Sequence, residues 1–297
     1  MNGLRATPFA KINLGLRVLG RRPDGYHELS TVFQTISLAD RMLFEPAHDL
    51  SLEVGGHWPV PADSDNLVLK AARLLAERFP GKGARITLEK EIPPGAGLGG
   101  GSSDAAVTLL ALCVLWGIDH DPLTLDTLAR QLGADVPFFL HGGTCMGVGR
   151  GDEILPLADA RPWPLVVVWP GSGLSTREVF GALPESLTMK RILSSMRGFV
   201  ASPVAETESV EPPDLTNDLE TTAFRQLPLL EKQRERLMNA GAIAVAMSGS
   251  GSAVFGLFSG EARLERIAAS LSSAGAVAFA CHMVPGERYR SQMFERL

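Results

Sequence analysis

The sequence feature that most restricts the fold is a glycine-rich stretch, residues 93–106, between an apolar run and a helical pattern. The run from Ala84 to Lys90 is typical of a strand, and the apolar residues that end near Trp116 are typical of a helix. Glycine lets the backbone turn tightly and approach a bulky ligand closely. A strand, a glycine loop and a helix in this order predict a phosphate site, because free N–H groups and the positive end of the helix dipole face the loop.

Ser102 and Ser103 lie where the N-cap of that helix is expected. A flexible loop before a helix is the simple alternative, but this run of glycines is long and stands directly between the strand and the helix. We therefore predict that the loop binds phosphate. The residues predicted to bind it are Pro94, Gly95, Ala96, Gly97, Leu98, Gly99, Gly100, Gly101, Ser102 and Ser103.

Two common classes of phosphate loop do not fit this stretch. The Walker loop requires a Lys followed by Ser or Thr after its last Gly, and this loop contains no lysine. Gly95, Gly97 and Gly100 have the spacing of a dinucleotide-binding loop, and Asp119 follows about twenty residues later. That fold also needs an apolar strand directly after the helix, whereas a second helical pattern, Leu123 to Leu132, follows here. The context therefore argues against dinucleotide binding.

Composition narrows the class of protein. The 297 residues suffice for one large or two medium domains, and the contents of 45% hydrophobic and 21% charged residues are typical of a globular protein. A net charge of −5 without a basic stripe argues against binding to nucleic acid or to a membrane surface. No signal peptide is apparent, and no run approaches the roughly twenty apolar residues of a membrane span. Three cysteines lack disulfide or metal spacing. We expect a cytoplasmic enzyme or binding protein.

Two segments near the start of the chain carry polar side chains suited to a site. Residues 6–19 alternate as in a strand, with Lys11 and Asn13 on one face. A turn rich in Pro, Asp and Gly follows, and Tyr26 and His27 directly after it could be exposed for stacking and hydrogen bonding. A solvated strand face and an ordinary surface histidine are the simple alternatives. The residue patterns alone leave these alternatives open.

Three segments together resemble a known family. The order Pro-Pro-Gly-Ala-Gly-Leu-Gly-Gly-Gly-Ser-Ser resembles the phosphate loop of the GHMP kinase superfamily, which includes galactokinase, homoserine kinase and mevalonate kinase. The segments Arg-Pro-Asp-Gly-Tyr-His, residues 22–27, and Gly-Ala-Asp-Val-Pro, residues 133–137, are similar to motifs of its 4-diphosphocytidyl-2-C-methyl-D-erythritol kinases. The resemblance extends from about Ala6 to about Phe258 and is weak near residues 185–213.

The resemblance implies an α+β fold with two domains and an active site in the cleft between them. Residues 1–158 would form an ATP-binding N-terminal domain similar to ribosomal protein S5. Residues 159–297 would form a ferredoxin-like domain that contributes to the substrate site, and their order of strands and helices agrees with that architecture. A second glycine-rich segment, residues 246–256, resembles the third superfamily motif, which closes the site over the phosphates.

The resemblance also implies a reaction and its participants. It is the ATP-dependent phosphorylation of the 2-hydroxyl of a cytidine diphosphate-linked polyol in the non-mevalonate route to isoprenoids, with ATP and Mg²⁺ as cofactors. The small-molecule substrate would bind without nucleic acid or membrane partners, in a monomer or weak homodimer. Asp135 would be the general base on the acceptor hydroxyl, although a helix N-cap is the simple alternative for this residue. Lys11 would assist it and steady the transferring charge.

The remaining site residues also follow from the resemblance. Lys90 would flank the adenine. Tyr26 and Phe180 would stack on the two sides of the cytosine, and His27 would bind its edge. The residues expected to contact the substrate are Asn13, Tyr26, His27, Phe33, Thr176 and Phe180. Neither the ligands of Mg²⁺ nor a role for Asp104 follows from the sequence.

Two other interpretations remain open. The chain could be another GHMP kinase that acts on a sugar, homoserine or a mevalonate derivative, but an acceptor without a base has no use for the Pro-Asp-Gly-Tyr-His turn. It could also be a sensor that binds ATP and a metabolite without catalysis. Such a protein is expected to have lost the lysine or the aspartate, and both are present here.

Overall fold

The structure is a computed structural model that describes residues 3–119, 121–184, 215–273 and 275–297. Its strands are β1 (Leu4–Ala6), β2 (Phe9–Arg21), β3 (His27–Ala39), β4 (Arg41–Ala47), β5 (Leu50–Gly56), β6 (Gly83–Lys90), β7 (Thr144–Gly149), β8 (Glu153–Pro156), β9 (Pro164–Trp169), β10 (Ala244–Met247), β11 (Val254–Leu257), β12 (Val277–His282) and β13 (Phe294–Arg296). Its helices are α1 (Leu67–Arg78), α2 (Gly100–Trp116), α3 (Pro122–Leu132), α4 (Phe138–His141), α5 (Thr176–Gly181), α6 (Glu220–Gln226), α7 (Leu229–Asn239), α8 (Leu264–Leu271) and α9 (Gly286–Gln292).

Two sheets and helices α1 to α4 form most of the first unit of the fold. The strand order is β13-β1-β4-β6-β5 in one sheet and β2-β3-β7-β8 in the other. All neighbours are antiparallel except β5 and β6, which are parallel. Helix α2 lies in the centre of this unit because its residues are apolar on every side, and most of those from Ser103 to Cys113 are buried. The start of α2 is therefore fixed by packing on several sides.

A four-stranded antiparallel sheet forms the second unit, in the order β10-β11-β9-β12. With two helical segments and a hairpin between these strands, the order is that of a ferredoxin-like fold. Helices α7 and α8 cover one face through an apolar cluster that includes Leu237, Leu271 and Val168. The other face packs against the first unit in a second apolar cluster, which includes Ile12 of β2 and Val167 of β9. Strand β2 therefore lies between the two units.

The last two elements return to the first unit. Strand β13 pairs with β1 in antiparallel register, Leu4 opposite Arg296. Tyr289 of α9 is buried, and its hydroxyl donates a hydrogen bond to the carbonyl of Phe139 at 2.5 Å. Neither α9 nor β13 was expected from the sequence. The division into residues 1–158 and 159–297 stays a proposal, and residues 294–296 complete a sheet of the first unit.

Several expected elements are confirmed, and the cap of α1 is the clearest case. Asn66 is the N-cap of α1, and its side-chain oxygen accepts a hydrogen bond from Val68 N at 2.9 Å. No helix in the part of the chain that the structure describes is long and apolar enough to cross a membrane. The Pro- and Glu-rich loop expected at residues 202–213 lies outside the described residues.

Three boundaries that the sequence predicts are wrong. The strand-like run from Thr31 to Phe44 predicts one strand, but the structure has two, β3 and β4, separated by Asp40. The charged segment that follows Glu220 predicts one long helix to about Asn239, but the structure has two helices, because Pro228 lies between them and cannot donate a backbone hydrogen bond. Helix α2 has Gly99 rather than a serine as its N-cap, so Ser102 and Ser103 lie within its first turns.

Candidate active site

The glycine loop, residues 91–99, is held between two other backbone segments. On one side, Lys11 N of β2 donates a hydrogen bond to the carbonyl of Leu98 at 2.9 Å. On the other side, the Ser248 hydroxyl donates to the carbonyl of Gly97, also at 2.9 Å. Ser248 belongs to the turn between β10 and β11, which contains the second glycine-rich segment. The glycine loop, the strand that carries Lys11 and the second glycine-rich segment therefore meet at one place.

The loop requires glycine at two positions. Gly97 and Gly99 have φ angles of +76° and +70°, which side chains rarely adopt. A Cβ on Gly97 would overlap the carbonyl of Ser248, and one on Gly99 would lie 2.8 Å from the ring of Phe139. The loop continues directly into α2, whose first N–H groups have no partner within the helix. A pocket of about 380 Å³ lies over the loop and over Val60 and Leu67.

Lys11 and Asp135, far apart in the sequence, meet beside this loop. The Lys11 ammonium lies 3.5 Å from an Asp135 carboxylate oxygen, and the side chains are 3% and 36% exposed. Lys11 also donates a hydrogen bond to the Asn13 side-chain oxygen at 2.7 Å. Helix α4 has Pro137 as its N-cap, so Asp135 does not cap it. The Asp135 carboxylate therefore reaches solvent while a buried lysine faces it.

A cleft of about 1190 Å³ opens next to this pair and reaches the glycine loop. Its walls come from β2, the turn between β2 and β3, helix α5 and the turn between β10 and β11. The residues predicted from the sequence that line it are Lys11, Asn13, Tyr26, His27, Phe33, Asp135, Thr176 and Phe180. The structure thus brings all the expected acceptor-side residues into one cleft, and their contacts with a substrate stay predictions.

Aromatic side chains form one end of the cleft. The rings of His27 and Phe180 lie 5.2 Å apart at an interplanar angle of 31°. Tyr26 is 58% exposed, and the guanidinium of Arg150 lies 5.1 Å from its ring centroid. Burial lowers the pKa of the His27 imidazole, and the charge of Arg21 lowers it further, so His27 is neutral at pH 7. The stacking of a base between Tyr26 and Phe180 stays a prediction.

Arginine side chains also line the cleft, and the sequence analysis missed them. The four are Arg21, Arg130, Arg150 and Arg177. Arg150 is held in place by Asp152, which accepts a hydrogen bond from it at 2.5 Å. These side chains give the cleft positive charge suited to an anionic ligand. In the sequence, the only indication of a role for Arg150 is that this arginine stands between two glycines, Gly149 and Gly151.

Residues 216–220, whose sequence predicts a helix cap, both cap α6 and hold the second glycine-rich turn. The Asn217 side-chain oxygen accepts a hydrogen bond from Leu219 N at 2.9 Å. The buried Asn217 amide donates hydrogen bonds to the carbonyls of Met247 and Gly249, at 2.9 and 2.8 Å. Glu220 accepts a hydrogen bond from Met247 N at 2.7 Å. An added Cβ on Gly249 would lie 3.2 Å from the Lys11 ammonium, so the turn stands close to that charge. Asn217 and Glu220 therefore position the turn beside Lys11.

Thr176 and Lys90 line different pockets beside the glycine loop. The Thr176 hydroxyl is 2.8 Å from the Ser250 hydroxyl, at the entrance to the cleft. Lys90 borders the smaller pocket, but its ammonium is buried between the carboxyl groups of Asp40 and Asp104. Its predicted role beside the adenine stays a prediction. No sequence motif indicated a role for Asp40. The only indication was a charged residue inside a strand-like run.

These buried groups shift one another's ionisation. Burial raises the pKa of the Asp104 carboxyl to about 8, even though the Lys90 ammonium lowers it. Burial alone would lower the pKa of Lys90, but Asp104 and Asp40 outweigh that effect and raise it. Lys90 is therefore charged at neutral pH, and the Asp104 carboxyl holds a proton far more readily than an ordinary aspartic acid.

Comparison with protein families and curated proteins gives a consistent result. The family described as GHMP kinases N terminal domain matches residues 66–143, and GHMP kinases C terminal matches residues 212–277. A 4-diphosphocytidyl-2-C-methyl-D-erythritol kinase of Thermus thermophilus is 46% identical over 274 residues, which are 90% of this chain and 92% of the relative. The enzyme of the same name from Solibacter usitatus is 45% identical over 84% of this chain and 79% of the relative.

Solved structures extend the comparison. A crystal structure of 4-(cytidine 5'-diphospho)-2C-methyl-D-erythritol kinase matches with a TM-score of 0.79 and 44% identity, over 95% of this chain and all of that one. A homoserine kinase from Cytophaga hutchinsonii matches with a TM-score of 0.73 at 17% identity, over 97% of this chain and 96% of that one. At that identity the likeness concerns the fold alone. The expected two-domain GHMP kinase architecture is confirmed.

The glycine requirement at residue 99 can be tested with a matched pair of variants. Gly99→Ala combines a positive φ with a close contact to Phe139, so we expect a loss of roughly 1–3 kcal/mol in the free energy of unfolding. Gly101→Ala is the control, because its Cβ would lie 3.6 Å from Leu67, an ordinary contact distance. Chemical denaturation measures both. Equal stability of the two variants would show that the loop does not need glycine at residue 99.

Proposed function

This chain belongs to the GHMP kinase family and, within it, to the 4-diphosphocytidyl-2-C-methyl-D-erythritol kinases, and we propose that it transfers the γ-phosphoryl group of ATP to the 2-hydroxyl of 4-diphosphocytidyl-2-C-methyl-D-erythritol. The chain is an ATP-dependent kinase, as its relatives are. The product would serve isoprenoid precursor biosynthesis.

One observation carries the assignment of the reacting groups. The Lys11 ammonium and the Asp135 carboxylate lie 3.5 Å apart in a cleft that continues into the glycine loop. In phosphoryl transfer the protein mainly positions the reactants and stabilises charge, while one group accepts the proton of the attacking hydroxyl. Asp135 is the group we propose for that proton, because it is a carboxylate that faces the cleft. Lys11 would stabilise the charge that develops on the transferring phosphoryl group.

The glycine loop is proposed as the site of the ATP phosphates. The N–H groups of Gly100, Gly101 and Ser102 stand at the start of α2, where they have no carbonyl partner within the helix. The positive end of the helix dipole adds to their attraction for phosphate oxygens. The smaller pocket over the loop has room for the adenosine part of the nucleotide, and Lys90 is on its border.

Mg²⁺ is the second proposed cofactor, and one side chain fits it. Mg²⁺ prefers oxygen ligands and is usually held by one or two protein groups together with phosphates and water. The hydroxyl of Ser103 is buried and has no hydrogen-bond partner in the part of the chain that the structure describes, so it would hold the ion beside the phosphates. When bound, Mg²⁺ neutralises charge on the β- and γ-phosphates.

The acceptor's nucleotide half is proposed to lie at the aromatic end of the cleft. Tyr26 and Phe180 would stack on the cytosine, and the neutral His27 imidazole would bind its edge by hydrogen bonding. Asn13, held by the Lys11 ammonium, would orient the acceptor hydroxyl towards Asp135. Phe33, whose ring centroid lies 5.5 Å from the Lys11 ammonium, would form the wall beneath it. Thr176 would border the acceptor at the cleft entrance.

Substrate choice is tested by measuring ADP release from ATP and Mg²⁺ with four acceptors. We expect turnover with 4-diphosphocytidyl-2-C-methyl-D-erythritol and none with homoserine, mevalonate or galactose. Turnover with one of those three instead would leave the family intact and contradict the cytidine subsite. If none of the four reacts while ATP still binds, the chain is an ATP-binding sensor.

The role of Asp135 is tested with Asp135→Asn, which keeps the shape of the side chain and removes the base. We expect kcat to fall by roughly 10²- to 10⁴-fold, the usual contribution of a general base, with the KM for ATP little changed. Asp119→Asn serves as the control, because Asp119 is exposed and does not line the cleft. Steady-state kinetics give both values, and a kcat near that of the wild type would remove Asp135 from the role.

The role of His27 is tested with His27→Ala. Loss of one hydrogen bond to the cytosine should raise the KM for the cytidyl substrate about tenfold, which corresponds to about 1.4 kcal/mol. The KM for ATP should stay unchanged. His48→Ala is the matched control, because its imidazole is almost fully exposed and pairs with Asp49. A rise in the KM for ATP instead would mean that the cytidine subsite is assigned to the wrong pocket.

A further inference from the structure

Three ionisable side chains beneath the glycine loop have no part in the proposed chemistry. Lys90 is the last residue of β6, the strand that enters the loop, and Asp104 belongs to α2, the helix that leaves it. Asp40 stands between β3 and β4. The side chains of all three are at most 3% exposed. This cluster connects the two ends of the loop with each other and with a third part of the chain.

Asp40 fixes the direction in which the chain leaves β6. One of its carboxylate oxygens pairs with the Lys90 ammonium. The other accepts hydrogen bonds from Glu91 N at 2.6 Å and from Ile92 N at 2.8 Å, the first two residues of the loop. Both oxygens of Asp40 are therefore in use, and together they hold the last side chain of the strand and the first backbone groups of the loop.

Lys90 connects Asp40 with helix α2. Its ammonium lies 3.0 Å from a carboxyl oxygen of Asp104. A Cβ added to Gly100 would lie 2.8 Å from the same ammonium, so the charge stands directly beneath the first residue of α2. A cation at a helix N-terminus is unfavourable by itself, and the two carboxyl groups offset that effect. The ammonium therefore sets the position of the first turn of α2.

The contacts of Asp104 are simpler than those of Asp40. The oxygen that faces Lys90 is engaged, whereas the other has no hydrogen-bond partner among the described residues. An asparagine side chain has one acceptor oxygen. That is enough to replace Asp104, which uses one oxygen, but not Asp40, which uses both. The two aspartates of the cluster should therefore respond differently to the same conservative substitution.

A buried ion cluster contributes little to stability when compared with well-packed apolar residues of the same volume, but it favours one geometry over others. The geometry favoured here is that of the backbone N–H groups at the start of α2. Displacing reacting groups by even about 1 Å can cost roughly a hundredfold in rate, so such a constraint matters at a site that depends on positioning.

We propose that Asp40, Lys90 and Asp104 form a positioning triad, which holds the glycine loop and the first turn of α2 in the arrangement that binds the nucleotide's phosphates. The inference rests on the proposed assignment of the loop to the phosphates of ATP. Lys90 and Asp104 border the smaller pocket, but the Lys90 ammonium is enclosed by the two carboxyl groups, so the triad acts on the phosphates through the backbone of the loop. Its loss should therefore weaken the binding of phosphates and spare the binding of adenosine.

The test compares the binding of ATP with Mg²⁺ and of adenosine, by calorimetry on the full chain without acceptor. Asp104→Ala and Asp40→Asn should weaken ATP binding by roughly tenfold to a hundredfold and leave adenosine binding unchanged. Asp104→Asn should bind both ligands as the wild type does. Thr108→Val is the control for stability, because Thr108 is buried in the same helix and bonds to the Asp104 backbone without joining the triad.

The outcomes separate the possible roles. If Asp104→Ala and Asp40→Asn lower the unfolding temperature as Thr108→Val does and bind ATP normally, the triad is merely structural and the proposal fails. Equal loss of ATP and adenosine binding would also overturn it, in favour of a direct contact with the nucleoside. If wild-type protein binds ATP no better than adenosine, the loop's assignment to phosphate fails, and the triad proposal fails with it. If Asp104→Ala does not fold, the comparison of Asp40→Asn with Asp104→Asn decides.

Discussion

The structure depends on the close approach of three backbone segments at the glycine loop. The carbonyls of Gly97 and Leu98 accept hydrogen bonds from the two flanking segments, one from each unit of the fold. Such an approach leaves no space for a Cβ at Gly97. Because the loop is fixed on both sides, α2 begins at a defined place, and Lys11 is held beside it on β2. The pocket over the loop and the neighbouring cleft are consequences of one backbone arrangement.

Two buried lysines, Lys90 and Lys11, have different surroundings. Lys90 is surrounded by two buried carboxyl groups, so its charge is balanced inside the protein and remains there. Lys11 faces a neutral amide, Asn13, and a partly exposed carboxylate, Asp135. Its charge is therefore directed towards an open cleft, where an anionic group can approach it. The surroundings of each ammonium, rather than the residue type, decide whether its charge is balanced inside the protein or faces an open cleft.

The sequence predicted what depends on neighbours along the chain. The N-cap at Asn66, the strand before the glycine loop and the end of α2 follow from local chemistry, and all are observed. The motifs also indicated the side chains that line the cleft. Contacts such as Lys11 with Asp135 depend on the packing of whole units, which no local pattern encodes. Asp40 was missed for the same reason, since its partners come from distant segments.

Boundaries failed where tertiary contacts override local preference. Serine is a better N-cap than most residues, yet α2 begins at Gly99 because the loop must take a positive φ there to pass Phe139 and Lys11. The Asn217 side chain serves two elements, because its oxygen accepts a hydrogen bond from Leu219 N at the start of α6 while its amide nitrogen donates to a turn about thirty residues away. The start of α2 is therefore set by contacts of the loop with distant residues, whereas Asn217 satisfies its own helix and the distant turn together.

The pairing of β13 with β1 has a consequence for how the chain folds during synthesis. Ribosomes deliver a protein from its N-terminus, and an N-terminal domain ordinarily folds before the rest has emerged. Here the sheet that contains Leu4 to Ala6 lacks one edge strand until Phe294 to Arg296 have been made. The Tyr289 side chain, which fills part of the first unit's core, arrives equally late. The first unit therefore begins with the first residues of the chain and is completed only by the last ones. The residues of the second unit lie between these two parts in the sequence.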